Sequence, residues 1–473
     1  MPYLYRFRST QALLDKYQEL DSQHIYFCPP EDLNDPMEGY KNVFWKGDSV
    51  VWTNLLRHYL LNVLKTTSIA AITGQDFTPD DCINLVHQTD HDLPQAPIRD
   101  IYHGACANLL RQPEISRLIS TLSSSPNEIR RDELALYLRL IHPLVVRIVF
   151  NALEELGLAP TKESSALDKQ IACLKDRLND LLSLRESVTE AQDGLFSVHA
   201  NAIMQMSLIR RLNDTPAQEA RWRIFIIESF PNYYLRSLER LIHPDFHVAC
   251  FVENPTHASM WGTYGDGHKG VCLKFRTKHN TQGEHSIDLL RVNGFSASKD
   301  GVVESYDYVS HPFARVNYSD DFPEIDFFES IATLPRFKLE SWFVGKAGER
   351  STNAARMLRE DKEWRQEYWQ TFHRSCTTKS IEWRHEAEYR LTLFSSLTRF
   401  DSRESRKLKY RFSDLAGIVF GIKTGEEEKL EIIRIVKKKC QSEGRADFEF
   451  LQARYSDRMR KIELVPLSLL SMK

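Results

Sequence analysis

The sequence predicts an α+β protein in which two strand-rich ends share one mixed sheet and a long all-helical insertion separates them. Three observations predict this. Strand-like alternation is confined to the first 45 or so residues and to the chain after Pro244, whereas between them Leu, Ile and Val recur every three or four positions. A chain of 473 residues also exceeds the roughly 250–300 that a single core sustains, so at least two compact units are expected. Because a segment as short as the N-terminal one cannot bury a core of its own, its strands most simply join the later sheet. The expected domains are therefore a discontinuous α+β catalytic domain, 1–48 with 244–473, and a helical insertion over 49–243.

Taken in order, Leu4, Arg6 and Arg8 alternate with Tyr3, Tyr5 and Phe7, the period of a strand. Ser9 or Thr10 then caps a predicted helix that carries Leu13, Leu14, Tyr17 and Leu20 at helical spacing. A second strand, His24 to Cys28, stops at Pro29-Pro30, since proline has no N–H for a ladder. Amphipathic helices are predicted around Leu55 to Leu64, Leu134 to Leu153, Leu167 to Leu184, Ile203 to Leu212 and Trp222 to Leu241, with turns at Gly74 to Asp76, Pro94 to Pro97 and Gly157 to Pro160. Strands return at Phe246 to Val252, Val271 to Phe275, Ala314 to Tyr318, Glu388 to Phe394, Gly417 to Phe420, Phe448 to Arg454 and Lys461 to Val465, with a charged helix over Gly425 to Cys440.

Composition narrows the functional classes. With 42% apolar and 27% charged residues the chain has the make-up of a folded protein. A net charge of −3 argues against a surface that is basic throughout, of the kind that holds nucleic acid by counterion release. The eight cysteines include no Cys-x-x-Cys pair, so neither a structural zinc nor any other metal is expected. No leader-like apolar run opens the chain and no stretch of roughly 18 apolar residues follows, so a cytoplasmic protein without membrane association is expected.

Four constellations carry candidate chemistry. The segment Trp383-Arg384-His385-Glu386-Ala387-Glu388-Tyr389-Arg390 runs into the alternation Leu391 to Phe394. If the strand begins near His385, then Glu386, Glu388 and Arg390 share a face, and two carboxylates at a strand mouth suit stabilisation of a developing cation. The plain alternative is an edge strand with a Glu/Arg pair. Asn34-Asp35-Pro36-Met37-Glu38-Gly39 is either a ligand contact or a turn held by Asn and Asp. In Met260 to Gly270, Trp261, Tyr264 and His268 stand among four glycines and either stack on a planar ligand or fill the core. Arg8, on a strand of large apolar neighbours, needs an anion or an internal carboxylate partner.

These motifs together resemble an uncharacterised bacterial domain family, with Tyr5-Arg6-Phe7-Arg8-Ser9, Cys28 to Gly39, Met260 to Val271 and Trp383 to Arg390 in order. That pattern is in turn similar to ADP-ribosyltransferases, whose mixed sheet the strand-helix-strand opening and Glu386-Ala387-Glu388 resemble; no His-Gly-Thr or Ser-Thr-Ser element is present. The resemblance implies NAD as substrate. It implies Arg8 on the NAD phosphates or ribose, Tyr26 near the nicotinamide, Glu388 on the ribose hydroxyls and the oxocarbenium ion, and Glu386 orienting the acceptor. Asn34, Asp35, Trp261, Tyr264 and His268 complete the expected cofactor site. A macromolecular acceptor is implied, nucleic acid slightly ahead of protein, with Arg130-Arg131, Arg210-Arg211 and Arg221-Trp222-Arg223 as a candidate face. A bacterial toxin or anti-phage effector, held by an inhibitory partner protein, is the role that follows from the resemblance. NAD hydrolysis and a non-enzymatic sensor that uses the helical insertion are the competing expectations.

Overall fold

In a computed structural model of the chain, the described residues are 3–73, 85–93, 98–158, 165–187, 192–213, 221–279, 283–298, 301–358, 361–395 and 400–470. The turns expected at Gly74 to Asp76 and Pro94 to Pro97, and Ala159-Pro160 of a third, lie outside them, as do the side chains of Arg210, Arg211 and Arg221. The fold is mixed α+β. The chain forms two compact units, one of Met1–Tyr40, Asp245–Phe322 and His373–Lys473, the other of Lys41–Pro244 and Pro323–Phe372. Each is thus assembled from separated segments, and Pro323–Phe372, which the sequence reading placed among the strands, packs with the helices.

The strand-rich unit is built on an eight-stranded sheet. Across it stand Ala314–Arg315, Glu388–Phe394, Phe246–Val252, Tyr3–Arg8, Val271–Arg276, Leu415–Phe420, Glu449–Ser456 and Lys461–Pro466. Every neighbouring pair is antiparallel except Leu415–Phe420 with Glu449–Ser456. That parallel pair needs a crossover, and the helix Glu426–Glu443 supplies it. Glu426, Glu427 and Glu428 occupy its first turn, where the helix dipole favours negative charge, and Gly444 ends it in the left-handed conformation, φ +64°. All six residues of Leu415–Phe420 are buried, as expected of a strand covered on both faces.

The two faces of this sheet carry different cores. On one, Leu4, Phe251, Leu273, Phe275, Leu391 and Ile418 pack with Ile25, Phe27, Leu408 and Tyr410 of a second sheet and with Ile432, Val436 and Cys440 of the crossover helix. On the other lie Phe7, Val252, Met260, Trp261, Cys272, Val419, Ala453 and Ile462. The second sheet joins His24–Tyr26, Lys407–Tyr410, His285–Ser298 and Lys278–His279, with Gly301–Pro312 paired to His285–Ser298.

Two local expectations are corrected. The helix expected from Thr10 to Leu20 begins at Thr10 but ends early, after the π-turn Ala12–Lys16, and Gln18 beyond it turns left-handed at φ +50°; Ser9 accepts the Ala12 N–H at 3.2 Å. The long hairpin of His285–Ser298 and Gly301–Pro312 was not anticipated. Its outer strand is exposed over most of its length, Val302 to 71%, so the in-and-out alternation that marks a half-buried strand is missing.

In the helical unit Ser49–Thr73 and Arg131–Glu154 are the long core helices, and Trp45, Trp52 and Trp342 are fully buried within it. A three-stranded sheet of Glu324–Asp326, Asn42–Trp45 and Ile129–Arg130 belongs to the same unit. Two buried histidines are fully bonded as neutral rings. His58 Nδ1 meets the Tyr234 hydroxyl at 2.8 Å and Nε2 the Val86 carbonyl at 3.0 Å. His142 Nδ1 meets the Tyr59 hydroxyl at 2.8 Å and Nε2 the Ile226 carbonyl at 2.5 Å. Burial holds the pKa of each down at about 4.

Candidate functional site

Strand register decides which predicted residues meet. Tyr5 stands opposite Val252, and Val252 opposite Glu388, so Tyr5 and Glu388 lie on one face of the sheet. Side chains alternate along a strand, which sends Arg6 and Arg8 to the other face, where Arg8 lies opposite Val271 of the Leu4 and Phe275 core. Arg8 and Glu388 are therefore not brought together.

On the Glu388 side a buried ionic cluster forms. The strand begins at Glu388, not near His385: Ile381–Glu386 is a 3-10 helix, and Ala387 reverses the chain in the left-handed conformation, φ +45°. The two glutamates thus do not share a face by alternation, yet both reach one ammonium. Lys379 Nζ donates to Glu386 Oε2 at 2.6 Å and lies 3.5 Å from Glu388 Oε2. Lys379 is placed by the short parallel pair Thr378–Lys379 with Asn317–Tyr318, and Tyr318 Oη accepts the Glu388 N–H at 2.8 Å. The indole of Trp383 lies 4.6 Å beneath the same ammonium.

Arg390 ties in the Asn-Asp-Pro segment. Its Nε donates to Glu388 Oε1 at 2.8 Å, and its Nη1 and Nη2 make a bidentate pair with Glu38 at 2.6 and 2.7 Å. Nη1 also donates to the Cys376 carbonyl at 2.8 Å. The side chains of Arg390, Glu38, Glu388, Lys379 and Glu386 are each at most 4% exposed. Burial pushes up the pKa of Glu38 and Glu388 alike; it prevails at Glu38, whereas Arg390 and Lys379 outweigh it at Glu388, whose pKa is held below the usual carboxylate value. Burial lowers the pKa of Lys379, but Glu388 and Glu386 more than reverse it. Tyr264, half-buried, caps the cluster by donating to Glu386 Oε1 at 2.7 Å, and burial with Glu386 beside it raises its pKa.

The remaining predicted residues have other surroundings. Trp261 is fully buried, donates its indole N–H to the Pro255 carbonyl at 2.7 Å and packs edge-on against Phe7, so it is a core residue and has no face left for a ligand. Asp35 forms a turn, its Oδ1 accepting the Met37 N–H at 2.9 Å, while Asn34 is exposed. His268 sits in a left-handed turn, φ +72°, with Nδ1 buried and without a hydrogen-bond partner among the described residues. Across the sheet Arg8 Nε donates to Glu19 Oε2 at 2.7 Å, the internal ion pair that its setting called for. Tyr26 stacks on Tyr17 at 6.1 Å, with Arg403 over both rings.

Glu38, Lys379 and Tyr318 were missed by sequence reasoning. Glu38 closes the Asn-Asp-Pro-Met-Glu motif and carried a signal; Lys379 and Tyr318 stand in no motif. Three separated motif segments nonetheless converge here: Glu38 from the first, Tyr264 from the second, and Glu386, Glu388 and Arg390 from the third.

Two of those three segments coincide with a family-level match. Residues 260–391 match the family model DUF2971, protein of unknown function. The matched residues take in Tyr264, Tyr318, Lys379, Glu386, Glu388 and Arg390. No curated protein and no solved structure matches the chain. Among the described residues no group of three or more His, Cys, Asp or Glu is placed to hold a metal ion, and no helix is long and apolar enough to cross a membrane.

Proposed function

We propose that the strand-rich unit cleaves the nicotinamide glycosidic bond of NAD and transfers ADP-ribose to a macromolecule. The observation that carries this reading is charge. With every group ionised, the cations paired with Glu38, Glu386 and Glu388 among the described residues are Lys379 and Arg390, so three carboxylates stand against two cations in a setting with little water. A cluster with one carboxylate in excess of its cations is suited to a transition state that becomes cationic. The C1′–N bond breaks, its electron pair leaves with neutral nicotinamide, and the oxocarbenium ion is stabilised by Glu386 and Glu388. The acceptor oxygen or nitrogen then bonds to C1′ and gives its proton to Glu386.

Substrate access requires Tyr264 and Lys379 to release Glu386. Arg8 and Tyr26 take no part in this reading, since they lie on the other face. Nucleic acid is favoured over protein as acceptor, and an effector in toxin or anti-phage systems, restrained by a partner protein, is the corresponding role. The test is incubation of the full chain with NAD labelled in the adenosine moiety, alone and with DNA, RNA or cell extract. Nicotinamide release with label on a macromolecule is expected, and its loss in Glu386→Gln, assayed at a temperature where circular dichroism shows that variant still folded. Release of nicotinamide without labelled acceptor identifies hydrolysis. Absence of both overturns the reading.

One observation favours a second reading, a non-enzymatic binding or sensor module: each carboxylate of the cluster is already paired, and the pairs lock separate segments together. In that case no NAD turnover occurs and Glu386→Gln changes only stability.

A further inference from the structure

The helical unit contains a cavity of about 180 Å³ beside the start of the Ser49–Thr73 helix. Ser49, Thr53, Asn54, Arg57, Lys346 and Glu349 line it. Arg57 is the informative member. Its Nη1 donates to Asn54 Oδ1 at 3.1 Å, its Nη2 stands 3.7 Å from Asp90 Oδ2, and its side chain forms part of the cavity wall.

The rest of the lining points the same way. Lys346, exposed on the loop after Arg336–Phe343, brings a second cation, and the hydroxyls of Ser49 and Thr53 can donate. The lining has one carboxylate against these two cations, Glu349, which fills the space a side chain at Gly345 would take. We infer that this cavity binds a small organic oxyanion, a carboxylate or phosphate, that also carries a hydroxyl. The head group bridges Arg57 and Lys346 and accepts from Thr53, and the hydroxyl donates to Glu349. A guanidinium and an ammonium on one oxyanion form charge-assisted bonds, stronger than those a water filling the space supplies. The site lies wholly within the helical unit and is independent of the glycosidic chemistry proposed above.

Titration calorimetry of the full chain with glycerol 3-phosphate and with malate tests it. Saturable binding of at least one, with one site per chain, is expected; which one binds identifies the head group. Affinity falls at least tenfold in Lys346→Ala, which alters an exposed side chain, and in Thr53→Leu, which fills the cavity, while the melting temperature without ligand stays near that of the parent. Failure of both probes to bind saturably overturns the proposal. So does binding that neither variant weakens.

Discussion

Arg390 has no exposed side-chain area and faces carboxylates from two distant parts of the chain, Glu38 and Glu388. Replacing it with Met removes one partner from each and leaves two buried charges behind. Breaking a buried ion pair in this one-sided way costs about 3–5 kcal/mol. Urea unfolding of Arg390→Met should show a loss of that size, and a loss under about 1 kcal/mol, the ordinary value of a surface pair, would mean that water reaches the cluster. Of this site, Glu386 and Glu388 were legible because two carboxylates two residues apart before an apolar run are conspicuous in a sequence. Glu38 was not, since what gives it meaning is Arg390, 352 positions away. Arg8 was misplaced for a different reason. Alternation states that Arg8 lies opposite in sense to Tyr5, but only the register Tyr5–Val252–Glu388 states which of those faces Glu388 shares.

At the level of elements the decisive local feature is the junction of the 3-10 helix Ile381–Glu386 and the strand Glu388–Phe394. Ala387 joins them at φ +45°, a conformation costing a residue with a Cβ about 1–2 kcal/mol. The pairing of Glu386 and Glu388 with Lys379 holds it there. Ala387→Gly relieves the strain and loosens the unfolded chain, two effects of about 1 kcal/mol that oppose each other, so its stability should stay within about 1 kcal/mol of the parent. Ala387→Val should lose roughly 2 kcal/mol more, because branching at Cβ is poorly tolerated at positive φ. Equal stability of the two variants in thermal unfolding would show that the junction is not strained. The predicted strand Glu388 to Phe394 has the observed bounds, but a left-handed Ala leaves no mark in a sequence, so the placing of Glu386 and Glu388 on one face by alternation did not hold. The eight-stranded sheet itself was largely legible, as its strands bury alternating or continuous apolar residues. The exposed hairpin after His285 has neither pattern and was invisible for that reason.

For the chain as a whole, the break between strand-rich and helical sequence was legible, while the return of Pro323–Phe372 to the helical unit was not. Leu339, Trp342 and Phe343 are as apolar as any core residues, and nothing local tells which core they enter. The two units do share a response to acid. Burial holds His58 and His142 of the helical unit, and His24 and His247 of the strand-rich unit, at pKa values of about 4. In the unfolded chain each returns to about 6.5. Between pH 6.5 and 4 the unfolded state therefore binds protons that the folded state does not, so stability is complete above this window and falls as pH drops through it. Glu388, with its pKa depressed, acts in the same direction but lower: its contribution is complete above about 4.3 and is lost as pH falls through its folded value. Glu38 and Asp326, whose pKa values burial raises, act in the opposite sense, but the four histidines outnumber them, so melting temperature should decline from about pH 7 toward pH 4. His142→Gln cannot take up the proton, so it should reduce the slope of unfolding free energy by up to about 1.4 kcal/mol per pH unit inside the window, even if its stability at neutral pH is lower. A slope unchanged in that variant, or a melting temperature that rises on acidification, would show that the ring of His142 is not held neutral by the helical core.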